Sequence, residues 1–344
     1  MELEGWDAVQ AYADCVSTRG RWQDRAPESQ VIVGTLHNPA YACQAPPWPP
    51  WQPGSDPAFF YAYAGHPPQC PLPAWSRAGF CRALGGRPLL LVGDSTTFTS
   101  HDSLLGALMD APFPLGSTPL GHSQFDPCPG HAICGVEAEA TAGLPQHHPD
   151  KVLPTTLAFI RSDDLALTVA EDPKEIHVNW HRPWLPLVRN NSVLLMNRGA
   201  HFVDTGLVVE ELETVLTHVL ETFPGALIVF RNTVGGVENL TGTRTRLPTT
   251  SPPTYTPGGL GEQFNWVDFP AQNTAVRELV DSLRDPHSGG GLLYLDVAHS
   301  TMLRPDHHFD WLHACIPGPQ DHWAQLLQAV LEEARRVSRK KQRK

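Results

Sequence analysis

Apolar positions along the chain fall into two textures. Short continuous runs at Leu89 to Val92, Ser192 to Met196, Ala226 to Phe230 and Leu292 to Leu295 are the pattern of strands buried on both faces of a parallel sheet. Between them the spacing becomes helical. Over Val208 to Thr222, residues Leu212, Val215, Leu216, Val219 and Leu220 form one stripe; over Ala271 to Leu283, Val276, Leu279, Val280 and Leu283 form another. A last helix is predicted from about Asp321 to Val337, and a short one from Ser103 to Met109. Buried strands alternating with amphipathic helices predict an α/β fold, with a mostly parallel central sheet covered on both sides.

Two regions break this texture. Residues 1–84 are rich in Pro, Trp and Cys, and the stretch from Ala45 to Pro53, with Pro46, Pro47, Pro49 and Pro50, suits neither helix nor central strand. This predicts a loop-rich N-terminal segment packing on a core domain at 85–338, followed by a basic disordered tail at 339–344. Residues 113–152, dense in Gly, Pro and His, are expected to form a long surface loop or lid, and Leu247 to Gly259 another loop.

Composition narrows the function. A chain of 344 residues with 41% hydrophobic content can build one large α/β domain or two smaller ones. A net charge of -11 disfavours nucleic acid as the main partner, since phosphate binding wants a basic face. No stretch approaches the roughly 20 apolar residues of a membrane helix, and no signal peptide is visible at the N-terminus, so membrane association is not visible here. Seven cysteines, four of them before Gly93, nonetheless suggest a disulfide framework, and Asn190-Asn191-Ser192 and Asn239-Leu240-Thr241 read as glycosylation acceptors. Together these point to the secretory pathway (Golgi lumen) or the extracellular space, with the leader missing from this sequence. A cytosolic chain with reduced thiols is the alternative.

Candidate chemistry sits at strand ends. Gly93-Asp94-Ser95 follows the run Leu89 to Val92, where α/β sheets place ligands. Far along the chain, Asp310-Trp311-Leu312-His313 supplies a base and an orienting carboxylate for a serine nucleophile. Thr97 replaces the last glycine of a Gly-x-Ser-x-Gly elbow, which disfavours an ordinary α/β-hydrolase. Taken alone, Gly-Asp-Ser also reads as a helix cap. The segment holding Asp306, His307, His308, Asp310, His313 and Cys315 has two further readings: a metal site, although its crowding fits no regular zinc spacing, or a solvated polar loop. Asn197, ending the strand Val193 to Met196, is a candidate oxyanion donor alongside the Ser95 N–H, or a turn residue. Arg231 could bind an anionic group or pair with a carboxylate. Trp48, Trp51, Trp180 and Trp184 lie in loop-like sequence and could stack on sugars, or simply pack.

In this order the segments resemble the PC-esterase family, an SGNH-like (GDSL-like) group that includes the trichome-birefringence-like polysaccharide O-acetyltransferases. Besides Gly93-Asp94-Ser95 and Asp310-x-x-His313, the resemblance runs through Cys15 and Gly20-Arg21-Trp22, Trp51-Gln52-Pro53, Cys70-Pro71-Leu72-Pro73, Asn197-Arg198-Gly199-Ala200-His201, Val229-Phe230-Arg231, Asn265-Trp266-Val267-Asp268 and Leu303-Arg304-Pro305-Asp306. It implies a three-layer SGNH-hydrolase-like fold. It also implies a serine-dependent O-acyl (O-acetyl) transfer to a polysaccharide or glycan, or hydrolysis by a carbohydrate acetylesterase with the same triad; a non-catalytic glycan-binding member is a third possibility. Ser95 would carry the acyl group, His313 would act as base then acid, Asp310 would orient it and Asn197 would assist the oxyanion hole. No cofactor or metal is implied; an acyl donor such as acetyl-CoA or another acetylated compound is expected as substrate. The chain departs from the family at Trp311, where a cysteine often stands, and at Thr96-Thr97-Phe98, and its second oxyanion glycine, with Gly116 or Gly121 as options, is not identified.

Overall fold

The computed structural model describes residues 5–24, 61–108, 128–145, 148, 150–167, 182–201, 204–238, 251–252, 254–284, 290–305, 308, 310–316 and 318–342. Six strands form the central sheet: β3 (Leu89–Gly93), β4 (Cys128–Ile133), β5 (Thr155–Arg161), β6 (Val193–Met196), β7 (Leu227–Arg231) and β8 (Gly291–Leu295). Their order is β4-β5-β3-β6-β7-β8, parallel except for β4, which pairs antiparallel with β5 at one edge. The alternation within each apolar run explains why the runs are continuous. Leu89 and Leu91 of β3, Leu195 of β6, Val229 of β7 and Leu293 of β8 enter one buried cluster, while Leu90, Val92, Leu194, Ile228 and Leu292 enter the other. With both faces covered, neither parity can be polar.

One face is covered by α1 (Gly5–Thr18), α2 (Arg77–Leu84), α3 (Ser95–Leu108) and α9 (Pro319–Gln342); the other is covered by α5 (Thr205–Thr222) and α7 (Phe269–Leu283). This is the three-layer α/β architecture expected. Shorter helices α4 (Gly135–Ala140), α6 (Leu260–Gln263) and α8 (Ala298–Met302) complete the described elements, with a small antiparallel hairpin of β1 (Arg21–Asp24) and β2 (Tyr61–Ala64).

Several local expectations are corrected. The N-terminal segment is not loop alone, because Trp6, Val9, Ala13 and Val16 give α1 a helical stripe that packs on α9 and β8. Gln10 on that helix also satisfies the outer edge of β8, accepting from the Tyr294 N–H at 2.7 Å and donating to the Tyr294 carbonyl at 2.8 Å. The proline-rich stretch from Ala45 to Pro53 lies outside the described residues. The expected lid contains β4 and α4, and β5 adds a strand that the apolar runs did not single out. The last helix runs past Arg339 to Gln342, into the expected tail.

Disulfides Cys15–Cys70 and Cys81–Cys134 staple α1 and α2 to their neighbours. Cys315 is also disulfide-bonded, and Cys128 is a buried free thiol. No described helix is long and apolar enough to cross a membrane.

Two buried histidines set an acid limit on the fold. His322 of α9 lies against Tyr63 and Trp22, with ring centroids 4.6 and 5.5 Å away. Burial, then the positive charge of His66, push its pKa down to about 3; burial likewise pushes His308 down to about 4. Unfolding restores the ordinary value near 6.5, so below about pH 6.5 the unfolded chain binds more protons than the native one. Stability should therefore fall as pH drops from about 6.5 toward 4, by up to about 1.4 kcal/mol per pH unit per histidine. Urea unfolding at a series of pH values checks this. His322→Phe, which keeps an aromatic ring there, should flatten the slope, and an unchanged slope would refute the assignment.

Candidate active site

Ser95 is the first residue of α3, at the turn where β3 ends. Asp94 caps that helix: its Oδ1 accepts the Thr96 N–H at 2.8 Å, and its backbone carbonyl accepts from the N–H groups of Thr97 and Phe98. The β-branched threonines after Ser95 argue against an early helix start, yet the cap and complete burial of the segment from Ser95 to Leu105 override that propensity. Gly93 permits the tight turn: a Cβ there would overlap the Thr97 hydroxyl and crowd the Asn197 carbonyl.

His313 reaches Ser95 from the far end of the chain. Its Nε2 lies 2.8 Å from Ser95 Oγ, and its Nδ1 lies 2.8 Å from Asp310 Oδ2. Asp310 Oδ1 meanwhile accepts the backbone N–H groups of Leu312 at 2.8 Å and His313 at 2.6 Å. The carboxylate thus folds its own loop into a turn and presents its other oxygen to the imidazole. That contact places the proton on Nδ1 and leaves Nε2 to accept the serine O–H. Burial works against the Asp310 charge, but the His313 ring and the two backbone donors outweigh it and hold its pKa below the ordinary carboxylate range. The structure brings Ser95, His313 and Asp310 together as one hydrogen-bonded line. Among the described residues no group of His, Cys, Asp and Glu is arranged to hold a metal.

The turn bearing Asp310 and His313 is clamped from outside. The Val237 N–H donates to the Trp311 carbonyl at 2.7 Å, and Gly236 lies so close to that carbonyl and to the Trp266 ring that a Cβ would overlap both. Trp311 leaves its indole half exposed, at 49%, between the two dyad residues.

Two expected site residues have other roles. Arg231 is not available to a ligand. It is 1% exposed; its NH2 donates to Thr96 Oγ1 at 2.6 Å and Thr97 Oγ1 at 2.7 Å, lies 3.9 Å from Asp94 Oδ1, and its guanidinium stacks 5.0 Å from the Trp323 ring centroid. Burial lowers its pKa to about 10 and the Asp94 charge opposes that, so it stays cationic at neutral pH. Asp94, though fully buried, is held below the ordinary carboxylate range chiefly by Arg231 and Thr96. The pair ties the start of α3 to the end of β7.

Asn197 is fully buried, with its Nδ2 within 3.3 to 3.4 Å of the Arg231 and Asn232 carbonyls and Thr233 Oγ1. It braces β6 against β7 rather than holding an amide free for an oxyanion. Trp184 is likewise core, 0% exposed with its indole N–H on the Ala166 carbonyl. Trp48, Trp51, Trp180, Gly116 and Gly121 lie outside the described residues.

The residue reading missed a polar cluster near the same sheet edge. Arg161, ending β5, donates from Nε to Asp163 Oδ1 at 2.8 Å, and His201 Nε2 lies 3.4 Å from Asp163 Oδ2. The Ser162 N–H donates to the Gly93 carbonyl at 3.0 Å, which fixes this cluster beside the turn that carries Ser95. A charged residue closing the apolar run Leu157 to Ile160 was the available signal.

No protein-family model and no curated protein matches the chain. Among solved structures it is similar to the periplasmic domain of a lipopolysaccharide acetyltransferase from Salmonella ser. Paratyphi A, with a TM-score of 0.36 and 13% identity, over 70% of this chain and 82% of that one.

Proposed function

We propose that this chain is a serine-dependent acyl-transfer enzyme that moves an acetyl group to or from a glycan hydroxyl, working in an oxidising compartment outside the cytosol. The observation that carries the reading is the unbroken line from Asp310 through His313 to Ser95, with both links at 2.8 Å. Ser95 Oγ attacks the acyl carbon of the donor as His313 Nε2 takes its proton, and the charge formed on the imidazole faces the Asp310 carboxylate. The tetrahedral oxyanion gains from the N-terminus of α3, where the Ser95 N–H and the helix dipole point. Collapse of that intermediate breaks the bond to the donor's leaving group, which takes the proton from His313 and leaves acetyl-Ser95. The acceptor hydroxyl then gives its proton to His313 and attacks the ester, and the proton returns to Ser95 as the product leaves.

The acetyl group and the glycan acceptor rest on the resemblance of the ordered motifs to the PC-esterase family. The three disulfide-bonded sites at Cys15–Cys70, Cys81–Cys134 and Cys315 support the compartment.

Intact mass spectrometry tests the chemistry. Brief incubation with an activated acetyl ester should add one acetyl group to the wild-type protein, and proteolysis should locate it on Ser95. Including a neutral oligosaccharide should then divert acetyl from water to sugar. Acetate as the sole product at every sugar concentration would assign hydrolysis in place of transfer, and no acetyl adduct or turnover with any ester would reject the proposal.

A further inference from the structure

A separate cavity of about 470 Å³ opens beside the ends of β7 and β8, bounded by α1, α7, α8 and the loop bearing Tyr255. The triad residues do not line it. Its walls combine aromatic surface (Tyr255, Trp266, Tyr294) with hydrogen-bonding groups (Asn273, Asp296). We infer that this cavity is a binding subsite for a neutral sugar unit, and that it holds a distal part of the same glycan whose hydroxyl reacts at Ser95. The second half of that statement rests on the function proposed above; the first half does not.

Three observations select the ligand class. The volume falls in the range of ligand pockets and exceeds a packing defect. Tyr255 and the Trp266 edge give the lining apolar surface of the kind on which a pyranose C–H face packs, while the Tyr294 ring carries the Arg277 guanidinium. The charge is wrong for a phosphorylated donor. The cavity's one guanidinium, Arg277, is already committed: it donates to Asp14 Oδ1 at 2.6 Å, Asp14 Oδ2 at 2.9 Å and Asp281 Oδ2 at 2.7 Å, and lies 5.3 Å from the Tyr294 ring centroid. Asp296 adds a further carboxylate. Its Oδ1 accepts from the Asn232 side chain at 2.7 Å and the His299 N–H at 3.0 Å, which leaves Oδ2 for a ligand hydroxyl. With Arg277 neutralised by Asp14 and Asp281, the described lining keeps no free cationic side chain of Arg or Lys to hold a phosphate, and the Asp296 carboxylate suits a polyol hydroxyl.

The cavity is mechanically joined to the dyad. Asn232, Thr233 and Gly235 line it, and the same segment continues to Gly236, whose carbonyl accepts the Tyr255 hydroxyl at 3.2 Å, and to Val237, which holds the Trp311 carbonyl. Trp266, in the cavity wall, also stacks with the half-exposed Phe264 ring at 5.4 Å. The Trp266 ring and the Trp311 carbonyl both close on Gly236, so the cavity wall and the turn bearing His313 share one contact.

The test uses the full chain, oxidised, as Ser95→Ala so that nothing turns over. The probes are xylohexaose, cellohexaose, mannohexaose and acetyl-CoA, followed by isothermal titration and tryptophan fluorescence. At least one neutral hexasaccharide should bind, and Asp296→Asn should weaken it by about tenfold or more, a loss of about 1.4 kcal/mol. Thr274→Trp, placed on the solvent side of α7, should block the cavity without touching the core. Failure of all three hexasaccharides to bind would overturn the inference. So would sugar binding that is unchanged in both variants, or acetyl-CoA binding that Thr274→Trp abolishes. Sugar binding with this variant pattern in a chain that never forms acetyl-Ser95 would uphold the subsite while rejecting the proposed chemistry.

Discussion

Ser95→Ala should lower acyl transfer by about 10⁴- to 10⁶-fold, the loss seen when the nucleophile of a serine triad is removed. The fold should be unaffected, because among the described residues Ser95 Oγ bonds only His313, at 2.8 Å. Removing that hydroxyl deletes the nucleophile and the proton donor of the line at once, so His313→Ala added to it should cost little more. Non-additivity of this kind separates a working triad from a chance alignment of three polar residues. Asp310→Asn should be milder, at about 10⁴-fold, since the ring loses its preferred tautomer while Ser95 and His313 remain. Steady-state hydrolysis of an activated acetyl ester, with thermal unfolding as the control, makes the comparison. Activity of the Ser95→Ala protein within about tenfold of wild type would rule out Ser95 as nucleophile.

Arg231→Met should destabilise the protein by about 3 to 5 kcal/mol, the usual cost of leaving a buried charge without its counter-charge. The stranded group is Asp94, which is 0% exposed and lies within 3.9 Å of the guanidinium. The hydroxyls of Thr96 and Thr97 lose their donor in the same step, and Trp323 loses the cation over its ring. The linkage sign gives a second readout. In the wild type Asp94 has a depressed pKa, so its contribution is present above the ordinary carboxylate value and lost as pH falls through the lowered one. Without Arg231 the carboxyl takes up a proton more readily, and the deficit against wild type should shrink on acidification. Adding Asp94→Asn should recover part of the loss, as expected for coupled neighbours. Urea unfolding of the two single variants and the double variant measures all of this; a loss under about 1 kcal/mol for Arg231→Met would show that the pair does not anchor α3.

The features legible in the sequence were those with one dominant cause. Leu89 to Val92, Val193 to Met196 and Leu292 to Leu295 read as strands because burial on both faces admits no polar position. The line from Asp310 through His313 to Ser95 was legible because a carboxylate, an imidazole and a hydroxyl are the residue types a serine triad would need, and Asp310 with His313 stands apart from any periodic core pattern. Arg231 and Asn197 were harder. A charged or amide residue at a strand end looks the same whether it faces a ligand or a buried partner, and Asp94, Thr96 and Asn232 decide the matter only in three dimensions. The cavity at Asp296 and Tyr255 had no sequence signal, since its walls come from five separated stretches of chain.

The distance between Ser95 and His313 along the chain has a consequence for biosynthesis. β3 and α3 are complete in sequence long before β8 and Asp310 are made, and α1 must wait for α9 to cover it. Such long-range closure folds slowly and leaves apolar surface open while it waits. During synthesis the Ser95 hydroxyl on α3 therefore has no His313 beside it, and under the proposed function the growing chain would be chemically silent. Competence to take an acyl group should appear abruptly, in the last step of maturation, when the C-terminal helix docks and carries the dyad loop into place.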